Sequence, residues 1–283
     1  MSQETDNPQH NIKTSFPAAV FKSFYLVTLY DEVKSVWRGR GFLYLLFLLA
    51  LASVLHTSAV SRSFSSFVND DLPVILEPMP IIQINDGEAS LDAKQPFVLE
   101  SKGEPIAIFD TTGNVVSLEN TDAMLLITRS TLQFRWMGSG NVSEAPLSDL
   151  GDITISKENI LSWAEDIKSA LPLFLYPAAL AIGYIYRVLQ VFAYAILARV
   201  WLVQKAAGLD FDTILRLTAV SVTPAVVIEA AFVFAGIQFP VAGIFYQLVA
   251  AVYVFQTMKT MAQKTGEEST GNLRKKSDKS SEN

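Results

Sequence analysis

The chain has 283 residues, half of them hydrophobic, a formal net charge of −6 and no cysteine. That composition fits a membrane protein carrying one soluble domain, and it excludes disulfides, thiolate nucleophiles and Cys-rich metal sites. His10 and His56 are the only imidazoles, so a His metal centre and a Ser-His-Asp triad are unexpected; no cofactor and no bound metal are expected.

Residues 1–15 are polar and are expected to form a disordered cytoplasmic N-terminus. Over 16–41, Phe16, Val20, Phe24, Val27, Tyr30, Val33 and Trp37 recur at helical spacing, with Lys22, Lys34, Arg38 and Arg40 between them. This predicts a basic amphipathic helix that lies in the headgroup plane or packs on the cytoplasmic ends of the spans. Gly39-Arg-Gly41 reads as a hinge. Residues 42–60 carry no charge and only His56 as a notable polar group, which predicts transmembrane helix 1. The long stretch that precedes them sets this run apart from a cleaved signal peptide.

Residues 61–168 carry 17 acids against seven bases, net −10, whereas residues 1–40 sum to +1 and the tail from Lys259 to +2. Lys and Arg concentrate on the cytoplasmic side of membranes, so this stretch is expected outside and both termini inside. Without clustered Lys and Arg, no nucleic-acid partner is expected. The first span should continue as helix to Asp71, ended by Leu72-Pro73. Alternation then predicts strands at 81–85, 88–91, 97–100, 106–109, 115–118, 124–128, 132–136 and 152–156. Asp86-Gly87 is a hairpin signal, and Gly113-Asn114 and Gly138-Ser-Gly140 are turns. Residues 157–170 read as a helical stalk leading back toward the membrane.

The run 169–203 is apolar except for Arg187 and Arg199. A helix of this length extends about 50 Å at about 1.5 Å per residue, too long for one untilted span and too short for two with a turn. Arg274, Lys275 and Lys276 follow the last apolar run and place that end inside, so the number of crossings is even. Residues 169–203 are therefore read as one long transmembrane helix 2, 213–236 as helix 3, 241–258 as helix 4 and 259–283 as a disordered cytoplasmic tail. Pro224 falls inside helix 3, where Thr223 or Ser221 could satisfy the freed carbonyl. The expected fold is an α-helical polytopic membrane protein of four spans with an inserted small, mostly antiparallel β extracytoplasmic domain.

Two groups of residues stand out as candidate sites. Arg187 lies 16 residues before Val203, and Glu229 lies 16 residues after Thr213, so both sit about 24 Å from the inner ends of their helices. A lone charge at mid-depth costs about 2.5–3.5 kcal/mol on insertion scales. The two are expected to pair, with Gln190 one turn away as a further hydrogen-bond partner. The pair either fixes helix register or lines a polar site for a ligand or proton. Asp110-Thr111-Thr112-Gly113 resembles the phosphorylated Asp-x-Thr loop of haloacid dehalogenase-type phosphatases, but no downstream acidic run for Mg²⁺ accompanies it. The plainer reading is a β-turn in which Asp110 and Thr112 bond neighbouring amides and Gly113 takes a positive φ.

Several stretches together resemble one family: Tyr30-Asp-Glu-Val-Lys34, Leu72-Pro73, Ile84-Asn-Asp-Gly87, Ile106-Ala-Ile-Phe-Asp-Thr-Thr-Gly113 and the helix 215–224 with its proline. The chain is similar over nearly its whole length to the bacterial membrane family catalogued as domain of unknown function 1189, itself similar to Yip-type membrane families. The resemblance implies a polytopic bacterial plasma-membrane protein with an external domain, and it implies no activity.

The function expected is that of a non-enzymatic accessory, sensory or assembly factor. Its partners are the lipid bilayer and an envelope or membrane protein, or a second copy of itself. A transporter or transport subunit using Arg187 and Glu229 is the alternative, and an outer-face enzyme using Asp110 is a third.

Overall fold

The computed structural model describes residues 14–25, 27–136, 140–204 and 209–281, with side chains given except at 202–204 and 268–281. The expected disorder of 1–13 and the turn at 138–139 lie outside these residues. The helices run in the order α1 (Phe16–Lys22), α2 (Val27–Val36), α3 (Arg40–Ser66), α4 (Leu72–Ile75), α5 (Lys157–Gln204), α6 (Phe211–Ser221), α7 (Thr223–Phe234) and α8 (Ala242–Ser281). The strands are β1 (Ile82–Asn85), β2 (Glu88–Leu91), β3 (Phe97–Ser101), β4 (Glu104–Phe109), β5 (Leu125–Ile127), β6 (Thr131–Arg135), β7 (Val142–Pro146) and β8 (Ile153–Ile155). The chain divides into two units, one of Met1–Val60 with Leu173–Asn283, the other Ser61–Pro172.

The first unit is helical. The single amphipathic helix expected over 16–41 is instead a helical hairpin, because the end of α1 is closed by side chains. Ser23 Oγ donates to the Val20 carbonyl at 2.7 Å and Tyr30 Oη donates to the Ser23 carbonyl at 2.9 Å. At the open end Phe16 meets Trp37 and Tyr44, with ring centroids 5.6 Å apart in each case. Thr14, inside the stretch expected to be disordered, is buried, and its hydroxyl donates to Glu32 at 2.7 Å. Gly41 lets α3 approach α6 backbone to backbone, since a Cβ there would lie 3.3 Å from the Arg216 Cα.

Residues 213–221 of α6 are all buried, so beyond its first two residues this helix has no exposed face. The helix breaks at Val222, between α6 and α7. Pro224 has no N–H to give the Val220 carbonyl, and Thr223 Oγ1 donates to that carbonyl instead, at 2.6 Å. Tyr44 Oη completes the hydroxyl pair, 2.8 Å from Thr223 Oγ1. α7 ends in a Schellman motif: Ile237 N bonds the Phe232 carbonyl, Gly236 N bonds the Val233 carbonyl, and Gly236 takes φ 71°. That tight stop turns the chain back, and α8 runs antiparallel beside α7 and α6. Phe245 stacks near Phe232 at 6.5 Å, and Thr257 meets Ser221 at 2.9 Å.

The tail from Lys259, expected to be disordered, continues as helix to Ser281. No proline interrupts it, its Lys, Glu, Gln and Met residues are good helix formers, and the preceding turns have already met the nucleation cost. Its first turns are also anchored. Met258 and Met261 are buried, Lys264 pairs with Asp31 at 2.5 Å, and Lys34 donates to Thr265 at 3.1 Å.

Among the described residues three helical segments are long and apolar enough to cross a membrane: Arg40–Ile75, Lys157–Trp201 and Phe211–Phe234. The run 170–203 lies within a single helix of 48 residues, α5. The fourth apolar run, 241–258, opens α8 and is not among the three.

The second unit is built from short strands. Three form a sheet in the order β2-β1-β8 and five form a sheet in the order β3-β4-β5-β6-β7, antiparallel except for β4 with β5. Asp86 and Gly87 take φ 50° and 77°, the positive angles a two-residue hairpin needs. Leu76, Ile82, Ile84, Leu99, Phe109, Ile127 and Leu147 form the main core, and Ile108, Leu118, Ala123 and Leu126 a smaller one.

Three expectations are corrected in this unit. Residues 115–118 are not a strand: the Val115 amide is drawn to Asp110, and a 3-10 turn follows at Leu118–Asn120. β7 was not expected, because Glu144 and Pro146 interrupt its pattern, yet an edge strand tolerates both. Leu72-Pro73 does not end the helix. A π turn at Phe67–Asp71, in which Leu72 N bonds the Phe67 carbonyl, absorbs the missing donor, and Pro73 sits in the first turn of α4.

Candidate functional site

The helical unit brings Arg187, Gln190 and Glu229 together. Arg187 is 5% exposed, and its Nη2 pairs with Glu229 Oε2 on α7. Its Nη1 donates to Gln190 Oε1 at 2.7 Å. The network then extends to α8 through a residue the sequence analysis did not single out. Gln190 Nε2 donates to Gln247 Oε1 at 2.6 Å, and the Tyr194 hydroxyl lies 2.8 Å from the same oxygen. Gln247 Nε2 donates to Tyr186 Oη, and the Tyr186 ring lies under the guanidinium at 5.4 Å. One signal could have found Gln247: an amide in an otherwise apolar run needs a partner wherever hydrocarbon surrounds it.

The geometry suits holding better than reacting. Glu229, Arg187, Gln190 and Gln247 form one chain of hydrogen bonds across α7, α5 and α8, and the guanidinium has its counter-ion. Removing one member of a buried ion pair costs about 3–5 kcal/mol, because the other charge is left uncompensated. The Glu229 side chain keeps 29% of its surface uncovered, so the network reaches the edge of the helical packing. Elsewhere on α5, Arg199 Nη1 donates to the Leu209 carbonyl at 2.5 Å and so ties α5 to the start of α6. Trp201 packs on Phe255 at 5.1 Å.

In the β unit, Asp110 follows β4 and is fully buried. Oδ1 accepts from the Thr112 amide at 2.9 Å and from Thr112 Oγ1 at 2.5 Å, and Oδ2 accepts from the Val115 amide at 2.5 Å. Burial alone would raise the carboxyl pKa, but these hydrogen bonds to the ionised form outweigh it and hold the group below the usual carboxylate range. Gln95 Oε1 fixes Thr111 through its amide and hydroxyl, at 2.6 and 2.9 Å. Gly113 takes φ 85° and closes the turn. The Asp110-Thr111-Thr112-Gly113 segment is thus a hydrogen-bonded turn, with both carboxylate oxygens aimed into its own backbone. Among the described residues no three His, Asp or Glu side chains come together as a metal-binding group.

The family described as "Protein of unknown function (DUF1189)" matches residues 18–258. No curated protein and no solved structure matches the chain. The match takes in every apolar run and the whole β unit, and on it the chain belongs to the DUF1189 family.

Proposed function

We propose that this chain is a multi-pass bacterial plasma-membrane protein with four crossings, both termini in the cytoplasm and the Ser61–Pro172 unit outside. It works without catalysis, as an accessory, sensory or assembly factor whose acidic β unit meets another envelope protein. One observation carries the non-catalytic reading: the candidate nucleophile Asp110 spends both oxygens on its own turn. What supports an external partner surface is the charge of residues 61–168, net −10, on a unit with its own core.

The fourth crossing rests on two features of α8. It lies antiparallel beside α7 and α6 from Phe245 to Thr257, alongside a segment apolar enough to span. Ile244, Leu248, Val252 and Phe255 recur at helical spacing and are each half exposed or more, a stripe suited to lipid.

Purification from native membranes in mild detergent tests this reading. A partner should co-purify, and neutralising the exposed acids Asp92, Glu100, Glu104 and Glu119 should release it. If the protein purifies alone as a homo-oligomer, and liposomes containing it pass a solute in a way that depends on Arg187 and Glu229, the accessory reading fails. Transport is the second reading. It is favoured by the Arg187–Gln190–Gln247 network and by the partly uncovered Glu229.

A further inference from the structure

The turn between α1 and α2 presents large apolar side chains that the protein does not cover. Phe21 is 69% exposed, Tyr25 71% and Val27 42%. In water such a cluster would be costly, and its surroundings show which solvent it faces. Phe24, at the centre of the turn, packs edge-on against Tyr253 of α8 at 6.4 Å. Tyr253 precedes Lys259, the first charge on α8, by six residues, or about 9 Å of helix. At the same level, on another side of α8, Val252 and Phe255 belong to its exposed apolar stripe.

The charges of the hairpin point the other way. Between Phe16 and Tyr30 the only charged residue is Lys22, and its Nζ turns back to donate to Thr14 Oγ1 at 3.0 Å. Asp31 and Lys34, further along α2, meet Lys264 and Thr265, beyond the first charge on α8. α2 therefore runs beside α8 from an apolar level at Phe24 to a charged level at Lys34. α1 and α2 share their open end at Phe16 and Trp37.

We propose that the α1–α2 hairpin is a wedge in the leaflet nearest the N-terminal helices. Its tip residues Phe21, Tyr25 and Val27 touch phospholipid acyl chains, and the hairpin does not lie flat among the headgroups. Phe24 at the tip stands at the level of the lipid stripe of α8, on another side of that helix, and the inference rests on α8 lying in the bilayer.

The chain has no cysteine, so single cysteines can be placed at will. Phe21→Cys, Tyr25→Cys, Ser35→Cys and Val252→Cys, each in the full chain, are nitroxide-labelled and reconstituted in phosphatidylcholine–phosphatidylglycerol nanodiscs. Collision with oxygen reports hydrocarbon, and collision with a water-soluble nickel chelate reports solvent. Labels at 21, 25 and 252 should favour oxygen and lose most nickel collisions relative to the label at 35. Nickel access at 21 and 25 equal to that at 35, with 252 still shielded, overturns the wedge and leaves the crossing of α8 intact. Nickel access at 252 as well removes the crossing of α8, and the wedge with it.

Discussion

The two units stabilise a buried charge by opposite routes. In the β unit, Asp110 is held by groups two and five residues along its own chain. In the helical unit, Arg187 is held by Glu229, 42 residues away on another helix, and by a glutamine chain that reaches a third. The first arrangement needs only a turn to form. The second exists only when α5, α7 and α8 are packed, so it reports on tertiary assembly.

That difference sets the order of expected effects. Glu229→Ala leaves Arg187 buried with no counter-ion and should cost the most, about 3–5 kcal/mol. Unfolding in mixed micelles with increasing dodecyl sulfate would measure it. The double change Arg187→Met with Glu229→Leu should recover most of the loss. If the double variant is as unstable as the single one, the pair is not what joins α5 to α7.

Asp110→Ala removes the acceptor of two turn amides and should destabilise the β unit by about 1–3 kcal/mol, with the helical unit little changed. Protease susceptibility of the Ser61–Pro172 segment in the reconstituted protein reads this directly. The pH dependence follows from the same bonds. The folded carboxyl titrates below its unfolded value, so its contribution is complete above the unfolded pKa near about 4 and is lost as pH falls through the lower folded pKa. Wild-type β unit should therefore lose stability below about pH 4, and Asp110→Asn should flatten that part of the curve. Equal acid sensitivity in the two proteins would assign the effect to other carboxylates.

Much of this contrast is legible in the sequence, for physical reasons. Asp-Thr-Thr-Gly is read locally, since every partner of the Asp110 carboxylate lies within five residues. The contact between Arg187 and Glu229 is legible from helical rise alone, because equal distances from the inner ends put the two charges at one depth. Gln247 is legible only as an amide that needs some partner, and Tyr186 and Tyr194 are not legible, since depth does not say which face of α8 or α5 turns inward. Residues 115–118 alternate like a strand, but a hydrogen bond to Asp110 takes the amide that a ladder would use. The α1–α2 break is hidden because Ser23 and Tyr30 close it through side chains, without glycine or proline. The helical tail is hidden because its composition resembles disorder when the anchored turns before it are ignored.

Smaller effects sharpen the comparison. Thr223→Val removes the hydroxyl that serves the Val220 carbonyl and Tyr44, and should cost about 1 kcal/mol in the same micellar unfolding. Thr223→Ser should restore most of it. Gly87→Ala should cost about 1 kcal/mol or somewhat more in the β unit, from the positive φ and a Cβ 3.0 Å from the Ser148 backbone. A loss confined to one unit in each case supports two separately stabilised bodies, and losses that spread to both would refute that separation.

Sidedness is the most direct test, because the functional reading needs the acidic unit and the α8 tail on opposite faces of the bilayer. Asp92→Cys and Glu267→Cys, each the sole thiol, are exposed to a membrane-impermeant maleimide on intact cells. Asp92→Cys should label at once, and Glu267→Cys only after the membrane is permeabilised. Labelling of Glu267→Cys in intact cells, or protection of Asp92→Cys, would contradict the four-crossing arrangement.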